Sequence, residues 1–209
     1  MGNQKVGDAI HLWGLPAVTT CPGMTSVCQG VCYALRSRFR FQTVKDRLAW
    51  NLEQTERDDF CGRMTKEIRR KGCLVLRVHS SGDFMSKEYA EKWLWIMRKC
   101  PKPRYFWYSR SWRIPEIATV LEQMAALKCC RAWYSLDSET GIPEKIPPGV
   151  KLAYLQVSED TPPEMIDLMF RVRRLRKQPR PRIGLTILPV CPNEVNKEIT
   201  CGGCQRCFS

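Results

Sequence analysis

Residues 73–83 read CLVLRVHSSGD, a short run dominated by apolar residues and then an abrupt change to serine, glycine and aspartate. A short run that is apolar on both alternating faces reads as a strand buried on both sides, the habit of parallel sheets. The next stretch, SKEYAEKWLWIMRKC (86–100), predicts a helix: Ser86 is placed to cap it, and Tyr89, Trp93 and Ile96 or Met97 recur at helical spacing. The same pairing repeats. RYFWYSRS (104–111) is a second strand, and IPEIATVLEQMAALKC (114–129) a helix with Pro115 in its first turn. RAWYSLDS (131–138) is a third strand, and VKLAYLQVSE (150–159) a fourth beyond the turn-rich ETGIPEKIPPG. TPPEMIDLMFRVRRLRK (161–177) predicts a helix and RIGLTILPV (182–190) a fifth strand. Upstream, KDRLAWNLEQTERDDFCGRMTKEIRRKG (45–72) is helical in pattern and closes on Gly72.

Strands alternating with helices predict an α/β fold, a mostly parallel sheet with helical crossovers resembling part of a TIM barrel. The 209 residues suffice for one hydrophobic core. One domain is therefore expected: a helical N-terminal part (1–72), β/α units (73–190) and a cysteine-rich tail (191–209). Each strand ends in chemically capable residues: His79, Ser81 and Asp83, then Ser109 and Arg110, then Asp137, then Glu159. The carboxyl edge of parallel strands is where sites are built, so His79, Ser81, Asp83, Asp137 and Glu159 are candidates for a functional rim.

Lys and Arg number 34 against 21 Asp and Glu, a formal charge of +13, which points to a polyanionic partner, nucleic acid first among them. No apolar run is long enough to span a membrane. The start, MGNQKVGDAIHLWGLPAV, lacks a secretory pattern, and its Met-Gly lacks the Ser or Thr of a myristoylation motif. A soluble, cytoplasmic protein is expected. In a reducing compartment twelve cysteines read as metal ligands or buried residues before disulfides.

Cys61, Cys73, Cys100, Cys129 and Cys130 fall in helices and strands without ligand spacing and read as core. The other seven form two groups among Gly and Pro. Cys21, Cys28 and Cys32 are spaced C-x6-C-x3-C; Cys191, Cys201, Cys204 and Cys207 are spaced C-x9-C-x2-C-x2-C. Structural zinc wants two close pairs with a longer spacer, which three cysteines at x2 spacing fit poorly. They fit a [4Fe–4S] cubane better, since ferredoxin-type runs repeat C-x2-C and end in Cys-Pro, here Cys191-Pro192. One or two [4Fe–4S] clusters are expected, with zinc as the alternative. The first group offers three ligands: either one iron is left open, or Cys61 or a cysteine of the tail completes it.

Positive charge concentrates in two segments and recurs in a third. CYALRSRFRFQTVKDR interleaves Arg36, Arg38, Arg40 and Lys45 with Tyr33, Phe39 and Phe41; RVRRLRKQPRPR carries Arg173, Arg174 and Arg176 among seven basic residues. RYFWYSRSWR adds Arg104, Arg110 and Arg113. Basic grooves with aromatic platforms hold single strands, so single-stranded DNA is the favoured partner. Seven thiolates on two clusters would contribute only about −3, leaving most of the excess unexplained by local neutralisation.

In order along the chain, LPAVTTCPGMTSVCQGVCYA, RVHSSGDF, WYSLDSETG and VCPNEVNKEITCGGCQRCF resemble the phage and plasmid gene product 88 family, over a span from about Leu15 to Phe208. The resemblance implies a mobile-element protein with a cysteine-bound cofactor at the seven cysteines just named, and a sheet layout similar to radical SAM barrels. It implies no particular reaction. Three functions follow as expectations. The first is an iron–sulfur protein that binds nucleic acid. The second is a radical SAM-like enzyme with an open iron at Cys21, Cys28 and Cys32, although the spacing differs from C-x3-C-x2-C. The third is a zinc-stapled interaction domain. Hydrolytic chemistry has little to work with: His11 and His79 stand beside no nucleophile pattern, and no P-loop or dinucleotide fingerprint occurs.

Overall fold

The computed structural model describes residues 6, 7, 9–159 and 162–209; the Met-Gly start and Thr161 lie outside them. Six strands form one sheet: β1 Ile10–Trp13, β2 Val75–Val78, β3 Arg104–Ser109, β4 Cys130–Leu136, β5 Val150–Gln156 and β6 Leu168–Arg171. They lie in sequence order and every neighbouring pair is parallel. The sheet curls into a half-barrel, so all six carboxyl ends share one edge.

Both faces are buried, as the unbroken apolar runs require. Leu76, Val78, Tyr105, Trp107, Tyr134, Leu136, Leu152 and Tyr154 face the main core, covered by the crossover helices. Residues of the opposite phase, among them Val75, Phe106, Tyr108, Trp133, Ala153, Leu168 and Phe170, face two smaller clusters. There Ile10, Cys191, Cys207 and Phe208 pack on them, so helices cover one face and the C-terminal tail covers the other.

A short helix, α1 Ser26–Val31, lies in the loop after β1. The first crossover is then split: α2 Gln42–Glu56 and α3 Phe60–Arg70 meet at a break over 57–59, and Gly72 turns with φ +55° into the strand that follows. Helices α4 Lys87–Lys99 and α5 Pro115–Ala125 make the next two crossovers. Ser86 caps α4 by accepting from Tyr89 N at 3.2 Å, and Pro115 opens α5, as their residue types dictate. Beyond β4 the connections are loops. No helix among the described residues is long and apolar enough to cross a membrane.

Three elements differ from the sequence reading. Strand β1 is only four residues long, too short to show a period. The helix expected over 161–177 is β6 followed by a 3-10 turn at Arg173–Lys177. Its apparent helical spacing yields to sheet pairing: Leu168 and Met169 are buried on opposite faces, Asp167 N donates to Leu152 O at 2.9 Å, and Leu152 N donates back to Asp167 Oδ2 at 2.8 Å. The expected fifth strand over 182–190 is a small antiparallel hairpin, β7 Arg182–Ile183 with β8 Thr186–Ile187, turning at Gly184 with φ +57°. Only Val190 reaches the sheet, by a single parallel bridge to Met169.

Two buried polar groups give the fold its sensitivities. The first is the ion pair behind β6. Arg171 and Glu194 are 3.6 Å apart with side chains 3 % and 1 % exposed, and Glu194 also accepts from Arg171 N at 2.9 Å. Glu194 sits in α6 Pro192–Val195, so the pair ties the tail to the sheet. The second is His79, which lies in the core rather than on an open rim. It is stacked edge-on against Phe84 at 4.7 Å, with Nε2 2.8 Å from a Tyr89 hydroxyl that accepts from Trp13 Nε1. Burial, and after it the charge of Arg77, push this imidazole down to about 3.

Removing one partner of a buried pair strands the other. Glu194→Ala is therefore expected to lower unfolding free energy by roughly 3–5 kcal/mol in urea titrations; a loss under about 1 kcal/mol would show Arg171 solvated instead. For His79 the unfolded ring protonates near its ordinary 6.5 while the folded ring stays neutral to about 3. Its contribution to stability is then complete above about pH 6.5 and is lost as pH falls through that window. Unfolding titrations over this range are expected to give a shallower pH dependence for His79→Gln; parallel slopes would remove His79 as a cause.

Candidate cofactor sites

The loop after β1 is fastened to the carboxyl edge of the sheet by close backbone contacts. Leu15 N donates to Ser81 O at 2.8 Å, and Ser81 Oγ donates to Leu15 O at 2.8 Å. Asp83 N donates to Thr20 O at 3.1 Å. Gly23 presses against the end of β3 so closely that a Cβ there would stand 2.0 Å from Arg110 O. Arg113 Nη1 donates to Gly23 O at 3.1 Å. Thr25 opens α1: its hydroxyl accepts from Cys28 N at 3.0 Å and donates to Asp137 Oδ2 at 2.7 Å. Ser26 binds Glu139 through both its backbone N–H and its hydroxyl.

These ties hold the loop that carries Cys21, Cys28 and Cys32 against the ends of β2, β3 and β4. Beneath them lie Asp83, Arg110 and Asp137. Arg110 donates from its backbone N to Asp83 Oδ2 at 2.8 Å and from Nε to Asp137 Oδ2 at 3.0 Å. Burial raises the Asp83 carboxyl even though it accepts from Ser109, Arg110 N and Phe84 N. Burial, with Asp83 adding its charge, pushes the Cys21 thiol up to about 12. Burial raises Cys28 as well, with Arg110 opposing. Such a pocket resists bare thiolates at Cys21 and Cys28, and a cationic group bound beside them would relieve that resistance.

The second group lies on the other face. Cys191 N donates to Met169 O at 3.0 Å, and α6 follows at once. A second short turn, α7 Cys201–Cys204, is capped by Thr200, whose hydroxyl accepts from Gly203 N at 3.1 Å. Gln205, with φ 58°, then reverses the chain. Cys191, Cys201, Cys204 and Cys207 line one small cavity with Leu168 and Ile199. Trp133 Nε1 donates to Cys207 O at 3.0 Å, Arg104 Nη1 to Phe208 O at 3.2 Å, and Arg131 Nε to Ser209 O at 3.0 Å. Arg104 and Arg131 belong to the amino ends of β3 and β4, so the tail is gripped at the edge opposite the first group.

All twelve cysteines are free thiols. Among the described residues no three His, Cys, Asp or Glu side chains converge tightly enough for a single metal ion. Of the expected rim residues, Asp83 and Asp137 lie under the first cysteine group and Ser81 fastens its loop. His79 is internal, and Glu159 is exposed, accepting from Gln178 at 2.6 Å. Of the expected nucleic-acid contacts, Tyr33, Arg36, Arg38, Arg40 and Lys45 are exposed just beyond Cys32, and Arg173, Arg174 and Arg176 just beyond β6. Both stretches follow carboxyl ends of strands. Arg110 and Arg113 are committed to the loop, and Arg104 lies at the opposite edge holding the tail.

Sequence reasoning passed over Thr25, Gly23 and Glu139, whose roles exist only once the loop is folded onto the sheet. It also passed over Arg77, a single cation in an otherwise apolar strand, which was a readable signal. Its guanidinium lies over the Tyr108 ring, 5.6 Å from the centroid.

Comparison with known proteins places these features. The chain is 31% identical to the Gene 88 protein of Mycobacterium phage L5, over 52% of this chain and 51% of that protein. It is 29% identical to the Gene 88 protein of Mycobacterium phage D29, over 52% and 50% respectively. The match thus spans about half the length of these curated relatives. No solved structure matches. The family model for Gene product 88 matches residues 2–208, with both cysteine groups inside the matched span, and the chain belongs to that family.

Proposed function

We propose that the chain is an iron–sulfur enzyme of radical SAM type acting at a polyanionic substrate, nucleic acid by preference. In this reading Cys21, Cys28 and Cys32 hold a [4Fe–4S] cluster with one iron free of protein ligand, and Cys191, Cys201, Cys204 and Cys207 hold a second, fully ligated one. One observation carries it: the three-cysteine loop is laced to the carboxyl edge of a parallel half-barrel, over the Asp83–Arg110–Asp137 network. That edge is where α/β folds build their chemistry. Three thiol ligands leave a position for an exogenous group, and when bound and reduced such a cluster supplies an electron for radical chemistry on S-adenosylmethionine.

The chain's own residues have defined tasks. Thr25, Gly23 and Arg113 hold the loop in place. Arg110, already bridging two carboxylates, keeps both oriented beneath the cysteines. The basic residues 36–40 and 173–176 ring the same edge and would attract a phosphate backbone. Support for clusters over zinc comes from the sequence spacing: C-x2-C-x2-C with a Cys-Pro partner fits ferredoxin-type runs better than the two close pairs of a structural zinc site.

The exposed interleaving of Arg36, Arg38 and Arg40 with Tyr33 and Phe41 favours a second reading, a nucleic-acid-binding protein in which the clusters only brace the fold. The two are separable. Anaerobically purified, brown protein with iron and sulfide, once reduced, is expected to cleave S-adenosylmethionine to 5′-deoxyadenosine, and Cys28→Ser to abolish this. Intact clusters without cleavage, alone or with oligonucleotide, would leave the binding reading.

Oligonucleotide affinity is expected to fall with salt along a log–log line. Replacing Arg36, Arg38 and Arg40 by Gln should flatten that slope by about 2–3, close to one per lost phosphate contact. An unchanged slope would take the basic segment out of the interface.

A further inference from the structure

We propose that Arg77 is the half-buried counter-ion of the C-terminal cysteine group and sets the reduction potential of the cluster held there. This rests on the two-cluster reading above.

Arg77 occupies a position where the sheet otherwise places apolar side chains. Its register partners are Leu12 on β1 and Phe106 on β3. Its Nε donates to His79 O at 3.1 Å, and its guanidinium lies over Tyr108. The other inward-held arginines have carboxylates: Arg110 has Asp137 at 3.0 Å and Arg171 has Glu194 at 3.6 Å. Arg77 forms no ion pair among the described residues. An uncompensated cation in such a place is costly, so its compensating charge is to be sought nearby.

The thiols in its neighbourhood are those of Cys207 and Cys201, which pack in one cluster with the Tyr108 ring beneath the guanidinium. Four thiolates on a [4Fe–4S] core with charge 2+ leave about −2 at the site, of which one guanidinium would offset half. A second observation points to the same occupant. The Tyr108 hydroxyl is buried, meets no nitrogen or oxygen partner, and has the Cys207 sulfur beside it. A cluster-bound thiolate at Cys207 would accept from that hydroxyl, as second-shell donors do at metal centres.

The electrostatic consequence has a sign. Reduction adds negative charge, a nearby cation stabilises the reduced state, and the potential rises. A purely structural role, bracing Tyr108 and the His79 carbonyl, would leave the potential alone.

The test uses the full chain with Cys21, Cys28 and Cys32 replaced by Ser, so that only the C-terminal cluster is present, loaded anaerobically. Iron and sulfide content is measured first. A chain that takes up no cluster with Arg77 intact overturns the two-cluster reading and this proposal with it. Electron-paramagnetic-resonance-monitored redox titration then compares Arg77, Arg77→Lys and Arg77→Gln. The Gln variant is expected to disfavour reduction at least tenfold, which is 59 mV for one electron, and the Lys variant to stay near the parent. Loss of the cluster in the Gln variant with retention in the Lys variant supports the same charge role. A loaded Gln variant titrating at the parent potential, or loss of the cluster in both variants, overturns the proposal.

Discussion

The bond between Arg110 and two buried carboxylates is the constraint on which the carboxyl edge depends. Asp83 leaves the segment after β2, Arg110 follows β3 and Asp137 follows β4, so one guanidinium and its own backbone N–H draw three strand ends together. Each charge would be expensive alone in this setting, and each is held by hydrogen bonds that satisfy its neighbours. Thr25 joins from the cysteine loop through the same Asp137 oxygen that Arg110 uses. The loop's position is thus a consequence of where the parallel strands stop.

Much of the architecture was legible because it rests on local rules. Strands β2 to β5 are apolar on both faces, Ser86 and Pro115 mark helix starts, and Gly72 marks a stop. What escaped was settled by distant partners. LMFR at 168–171 is helical in spacing, but Leu152 and Asp167 exchange backbone and side-chain bonds that commit it to the sheet. Strand β1 is too short to announce itself, and exists because β2 offers it a parallel edge. The grouping of the cysteines was readable from spacing, whereas their placement was not. Nothing in the sequence says that residues 21–32 meet Asp137 or that residues 201–209 reach the amino ends of β3 and β4.

The two cysteine groups differ in how the fold treats them. The first hangs on a loop whose close contacts, Gly23 against Arg110 above all, allow no added Cβ. The second is embedded in packing, with Cys191 and Cys207 counted among residues that touch Trp133 and Leu168. One group is held at the carboxyl edge, and the other covers the inner face that the remaining strands of a closed barrel would enclose. A short chain can therefore leave its half-barrel unfinished and still keep its inner face dry.

That inner face carries a further implication. Phe106, Tyr108, Trp133 and Phe170 are shielded by a tail with little secondary structure of its own, two single-turn helices and one left-handed residue. Whatever gathers Cys191, Cys201, Cys204 and Cys207 also keeps four large aromatic rings from water. Lifting the tail would create a continuous apolar patch of the sort that drives aggregation. The burial of those rings is in that sense tied to what holds the four sulfurs together.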